Sequence, residues 1–149
     1  MKFSTKGRYG LRAMVDLAVH AKGDHVALYS IAERQGISTN YLEQVFSVLR
    51  KAGLVKSVKG AQGGYVLAED PSDIKVGRIL RALEGPLSVI DENAESPNGK
   101  ETAIQQCIRT VVWDKMNEAL NELADSVTLE DLAENYRKLN GIDDTMYYI

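Results

Sequence analysis

Between Ser30 and Leu67 the chain carries two short helix signals, a tight turn, and two strand-like pieces joined by a glycine-rich loop. Ser30 and Glu33 have the spacing of a capping box, and Gly36 stands where a helix stops. A second helix opens at Ser38, places Tyr41, Leu42, Val45, Phe46 and Leu49 on one face, and closes at Gly53. Val55-Lys56-Ser57-Val58 and Tyr65-Val66-Leu67 then flank the loop Lys59-Gly60-Ala61-Gln62-Gly63-Gly64. Helix, turn, helix, hairpin is the order of a winged helix-turn-helix. Its second helix would enter the DNA major groove, and the basic hairpin tip would lie along the backbone or minor groove. The predicted fold class is mainly α with a small β-hairpin wing.

A chain of 149 residues with net charge −3 looks ill suited to a polyanion until the charge is divided. Residues 1–66 carry a balance of +6 and residues 67–149 a balance of −9. The asymmetry directs polyanion affinity to the first part, where the basic residues coincide with the helix-turn-helix pattern. No apolar run approaches the ~20 residues that span a bilayer, and the first residues lack a secretory core, so the expected location is the cytoplasm. A single cysteine, Cys107, excludes an intrachain disulfide.

The residues left outside the apolar face of the second helix are Ser38, Thr39, Asn40, Glu43 and Gln44. Asn and Gln suit adenine, Glu accepts from cytosine N4, and Ser or Thr serves either role. Tyr41 belongs to the same candidate DNA surface, as do Lys56, Lys59, Gly60 and Gln62 of the wing, with Lys56 and Lys59 supplying charge for phosphates. The glycine-rich loop precedes a strand and matches no nucleotide-binding pattern. Ser4 or Thr5 caps a helix reaching about His20, with Lys6, Arg8 and Arg12 near its start. There side chains and free amides could hold a phosphate, or the cations could form a solvated face. Thr5 and Lys6 join the candidate DNA surface. Asp24 to Leu28 is a connector with room for a small strand.

Three regions divide the chain: the winged unit over 1–85, an acidic flexible loop over 86–101, and a helical region over 102–149. A helix of about Val76 to Leu83 precedes Gly85-Pro86, and Asp91 to Lys100 shows no apolar pattern. Thr102 caps a long helix to about Asp125. In it Ile104, Ile108, Val112, Met116, Ala119 and Leu123 form one stripe, with Trp113 and Leu120 on its flank. Such a stripe is either buried within the chain or paired with a second copy. A symmetric homodimer would set two reading helices ~34 Å apart on a palindromic site. A final short helix starts at Thr128, boxed by Asp131, and a tail runs from Asp143 to Ile149. With two histidines and no nucleophile–base or metal-ligand constellation, no enzyme is indicated.

Several segments resemble the Rrf-type bacterial transcriptional regulators, the IscR/CymR family. They are Ser4-Thr5-Lys6-Gly7-Arg8-Tyr9-Gly10, Tyr41-Leu42-Glu43-Gln44, Leu49-Arg50-Lys51-Ala52-Gly53-Leu54-Val55, Gly63-Gly64-Tyr65, Leu83-Glu84-Gly85 and Thr128-Leu129-Glu130-Asp131-Leu132. The resemblance implies a homodimeric winged helix with a long dimerisation helix. Cluster-binding members carry three cysteines and a histidine; here Cys107 looks like the third cysteine, and Thr110 stands in place of the histidine. One thiolate cannot hold a cluster, so neither cofactor nor metal is expected. An iron–sulfur or redox-sensing regulator of the same fold is the alternative.

The lone cysteine and the ending Met-Tyr-Tyr-Ile are similar to the family's cysteine-metabolism repressors, which act with cysteine synthase as partner. In that light Tyr147, Tyr148 and Ile149 are a candidate partner-binding tail, captured by the C-terminal carboxylate, or they pack on the dimer. Cys107, beside the apolar stripe, reads as an inert buried thiol; a redox switch would require exposure and a lowered pKa.

Overall fold

A computed structural model describes residues 2–21, 23–61 and 63–147. Ser4 is extended, and its hydroxyl accepts from the Gly7 amide to start the first helix, α1 (Thr5–His20). Ala13, Met14 and Leu17 of α1 are wholly buried. The next helix, α2 (Leu28–Gln35), ends on Gly36 in the left-handed region (φ 65°). It does not begin with the expected Ser30–Glu33 capping box. Val26 pairs with Tyr65 of the wing, so Ala27 is the extended cap residue, and its carbonyl accepts from the Ser30 and Ile31 amides. Ser30 therefore lies inside the first turn.

The third helix, α3 (Thr39–Lys51), is capped by the Ser38 hydroxyl, which accepts from the Tyr41 amide at 3.1 Å. Leu42, Val45, Phe46 and Leu49 are buried as their spacing requires. Strands β1 (Val55–Val58) and β2 (Gly64–Leu67) pair antiparallel, with Val55 opposite Leu67 and Val58 opposite Gly64. The 24–28 connector supplies only a single bridge, Val26 to Tyr65. Gly64 is needed there because a Cβ would stand 2.3 Å from the Val26 carbonyl oxygen. The Phe46 and Tyr65 rings, 4.8 Å apart, seal the wing to α3.

Helix α4 (Val76–Glu84) packs against α1 at two glycines. A Cβ on Gly7 would meet Glu84 Oε1 at 2.2 Å, and one on Gly10 would meet a Leu83 methyl at 2.2 Å. A single turn, α5 (Glu92–Glu95), capped by the Asp91 carboxylate, lies within the segment expected to be a structureless loop. The predicted long helix is present from the Thr102–Gln105 capping box onward. It runs as α6 (Ala103–Ile108), one π-helical stretch (Arg109–Trp113) and α7 (Asp114–Ser126).

Four polar contacts fasten α7 to α4 and to the segment that follows it. Arg81 clamps Asp125 through two 2.8 Å bonds and also donates to Asn121. Asn121 donates to the Leu87 carbonyl, and the Val89 amide donates to Asn117. At the next junction the Val76 amide donates to Val127 and the Leu129 amide to Ile74, each at 2.8 Å. The last helix, α8 (Leu129–Tyr147), has the expected Thr128–Asp131 box, and its Leu129 and Ala133 enter the core beside α1.

This helix is longer than the sequence suggests. It continues through Gly141, which keeps a negative φ, to Tyr147, where a tail was expected from Asp143. Tyr148 and Ile149, and the side chain of Tyr147, lie outside the described residues. No helix among the described residues is long and apolar enough to cross a membrane.

Candidate nucleic-acid interface

The outer face of α3 presents Asn40, Glu43 and Gln44 to solvent, and with Ser47 they line one shallow concavity. Positions 40, 43, 44 and 47 are a single helical face, so Ser47 belongs to the surface that the sequence reading stopped short of at Gln44. Ser38 is exposed, but its oxygen is engaged as the cap; the hydroxyl proton remains available to donate. Thr39 is half-buried at the first turn.

Tyr41 serves a different purpose from its neighbours. Its ring meets Tyr9 of α1 edge-on, 6.1 Å between centroids, fixing the start of α3 against α1. Arg8 and Arg12 lie over the Tyr9 ring at 5.6 and 5.1 Å.

Lys56 and Lys59 are exposed on the wing, and Gly60, with φ 129°, turns the tip where an L side chain would be strained. Gln62 lies outside the described residues. Thr5 is exposed and Lys6 half-buried at the start of α1. Two of the amides there, of Ser4 and Gly7, are not free for the phosphate that one of the two sequence readings placed at this helix start. Glu84 Oε1 already accepts from the Ser4 amide (2.9 Å), the Ser4 hydroxyl (2.5 Å) and the Gly7 amide (3.0 Å). An anion does occupy this helix N-terminus, but it is the protein's own carboxylate.

Behind the interface lies Asp16, the one buried charged residue among the described residues. Arg34 donates to both its oxygens, at 2.7 and 3.0 Å, and Gln35 Nε2 donates at 2.8 Å. The hydrogen bond to Asp16 raises the Arg34 pKa above its ordinary value. Arg12 in turn donates to the Gln35 carbonyl, the last of α2. The C-terminal end of α2, directly before the turn into α3, is thus held to α1 by a polar knot that sequence reasoning missed.

The long helix presents the expected stripe to solvent: Ile104, Ile108, Val112, Met116 and Leu123 are all exposed. Cys107 is exposed too, contrary to the expected buried thiol, because it projects from α6 where no other element among the described residues covers it. The donor set around it does not suit an iron–sulfur cluster. The Thr110 hydroxyl is turned back onto the Gln106 carbonyl, and Glu101 and Asp114 are both engaged by Arg109, at 2.9 and 3.0 Å. Among the described residues no three His, Cys, Asp or Glu side chains are grouped to hold a metal.

Comparison with known proteins agrees with this architecture. A family model described as Rrf2, iron-dependent transcriptional regulator, matches residues 3–135. The HTH-type transcriptional regulator CymR of Bacillus subtilis (strain 168) is 47% identical over 135 residues, covering 89% of this chain and 90% of that protein. The HTH-type transcriptional regulator IscR of Pectobacterium atrosepticum is 38% identical over 144 residues, covering 96% of this chain and 85% of that protein.

Among solved structures, CymR (YrzC), described as the global cysteine regulator of B. subtilis, aligns with a TM-score of 0.76 and 43% identity. It covers 91% of this chain and 98% of that one. T. potens IscR aligns with a TM-score of 0.72 and 49% identity, covering 91% of this chain and 88% of that one. Relatives named as transcriptional regulators, matched over nearly the whole of both chains, make this winged helix-turn-helix a DNA-binding regulator of a non-enzymatic family. The chain belongs to the Rrf2 family of transcriptional regulators.

Proposed function

We propose that the chain is a homodimeric, cytoplasmic repressor that binds a palindromic operator and controls genes of sulfur uptake and cysteine synthesis. Cysteine synthase is the partner that gates it. The observation that carries the reading is the 47% identity, over nearly the whole of both chains, to a relative whose structure is described as a global cysteine regulator. The donor set around Cys107 supports it, since a single thiolate leaves sensing to something other than a cluster.

In this reading Ser38, Thr39, Asn40, Glu43 and Gln44 meet base edges. Thr5, Lys6, Lys56, Lys59, Gly60 and Gln62 meet the backbone, with Tyr41 positioning the helix. Residues 1–85 form the DNA-binding unit, and the stripe on the long helix pairs two copies.

Selection of genomic fragments by the purified protein tests the assignment. Enrichment upstream of sulfur-uptake and cysteine-synthesis genes is expected, and enrichment elsewhere overturns it. Adding cysteine synthase should change operator affinity, and removal of Tyr147 to Ile149 should abolish that change if the chain's last residues are the docking element.

A further inference from the structure

Among the described residues of the winged unit, two large apolar side chains are exposed, Tyr29 and Val58; the others so exposed belong to the long helix or to α8. The fold brings these two to one corner. Val58 ends β1 opposite Gly64, and a Cβ on Gly64 would stand 2.9 Å from the Ala27 amide nitrogen. Ala27 caps α2, and Tyr29 is the second residue of that helix. The Tyr29 side chain is 66% exposed, and its hydroxyl has no partner among the described residues. Lys56 and Lys59 of the wing are exposed beside this corner, and the first turn of α2 carries no acidic residue. The nearby Asp24 carboxylate already accepts from the His25 amide. In a helix-turn-helix the first helix crosses the sugar–phosphate backbone while the second reads the groove. The far end of α2 is held to α1 through Arg12 and the Gln35 carbonyl, which leaves the Tyr29 end beside the wing.

We infer that Tyr29 is a backbone-positioning residue for DNA: its hydroxyl donates to a phosphate flanking the bases that α3 reads, and its ring, with Val58, rests on the adjoining deoxyribose. The chemistry of the corner matches that ligand on both counts. A phenol supplies one neutral donor for a phosphate oxygen. The ring and the Val58 methyls cover sugar carbons, which are apolar. A protein partner is the other occupant such a corner could take. The lysines on its flank, and the lack of any further exposed large apolar side chain on the described winged unit, favour DNA. The contact carries no base information and no charge. It therefore sets how α3 sits on the duplex, equally on every sequence, without adding to the salt dependence. The inference rests on the DNA-binding reading, and the wing lysine gives that reading its own control.

The test is the affinity of the full chain and of Tyr29→Phe for two duplexes over a salt series, with Lys59→Ala measured beside them. One duplex is recovered by selection with the unaltered protein, and the other is its scrambled sequence. Tyr29→Phe should weaken binding to both by about three- to tenfold per half-site, the effect of one lost neutral hydrogen bond. Its salt slope should match the parent's, whereas that of Lys59→Ala should fall. Single methylphosphonate replacements through one half-site then locate the contact. One phosphate whose replacement weakens the parent should be silent in Tyr29→Phe. The inference is overturned if Tyr29→Phe binds as the parent does while Lys59→Ala is weakened; if Lys59→Ala also binds as the parent, the reading of the wing falls with it. A changed salt slope in Tyr29→Phe, or a loss that no single phosphate accounts for, overturns it too. Normal DNA binding by Tyr29→Phe with repression lost in the cell would assign the corner to a protein partner instead.

Discussion

At the scale of single residues, the architecture depends on two carboxylates that each bond to a neighbouring helix, Glu84 and Asp125. Glu84 leaves its own helix end to cap another, and α1 can approach it only because position 7 has no side chain. Replacing Glu84 with Ala strips acceptors from the Ser4 and Gly7 amides. It should cost about 1–2 kcal/mol, as losses of capping carboxylates and charge-assisted bonds do. Urea denaturation of the variant against the parent chain measures it, and an unchanged midpoint would refute the capping role. Asp125 offers a pH test. The hydrogen bond from Arg81 holds its carboxyl below the ordinary value of 3.8, with Lys75 adding a smaller pull. A group whose pKa is lower in the folded state contributes stability above its unfolded pKa and loses it as pH falls through the folded value. Asp125→Asn should therefore destabilise the chain at neutral pH and flatten the decline of stability below pH 3.8. Acid titrations followed by circular dichroism would detect the difference.

At the scale of elements, the reading helix and wing were legible because their signals are local. Ser38 caps, the 42-45-46-49 spacing faces the core, and glycines mark the turns. What escaped the sequence reading is pairing across distance. Ser30 looked like a cap until Val26 was drawn into the wing, which moved the helix start upstream. Asp16 and Arg34 lie on different helices, and nothing in their spacing announces a buried ion pair. Of the candidate DNA surface, the helix face could be read as far as Gln44. Ser47, one step further along the same face, was available from periodicity and overlooked.

The two parts of the interface should separate experimentally. Lys59→Ala is expected to weaken binding to all sequences and reduce the salt slope by about 1, the signature of one lost phosphate contact. Gln44→Ala should instead change base preference at one position, costing about 1–3 kcal/mol on the preferred site. Affinity measured over a salt series, on the selected operator and on base-substituted variants, distinguishes them. If neither replacement alters affinity, α3 and the wing do not form the interface.

At the scale of the molecule, the question is what covers the long helix. From Ile104 to Leu123 its stripe spans nearly 30 Å at 1.5 Å per residue, and in the single chain it faces solvent; Ile104 and Leu123 are 73% and 65% exposed. Contiguous apolar surface of that extent marks an interface. Among the described residues no element of the chain covers it, and Arg81, Asn121 and the Lys75–Thr128 bridge hold the opposite side of this region against the winged unit. A second copy meeting the stripe about a two-fold axis buries both faces at once and carries two reading helices. The acidic second half then lies away from the duplex, while the basic first halves approach it. Ile108→Glu with Met116→Glu should convert the protein from twice the chain mass to a monomer in sedimentation, with helical circular dichroism retained. Such a monomer keeps its reading face but loses the linked second half-site, so operator affinity should fall about a hundredfold or more. Binding to a single half-site should stay near the parent protomer's. A double variant that remains dimeric would place the pairing surface elsewhere. A monomer that still binds the whole operator at full strength would show that pairing is not what makes the site bipartite.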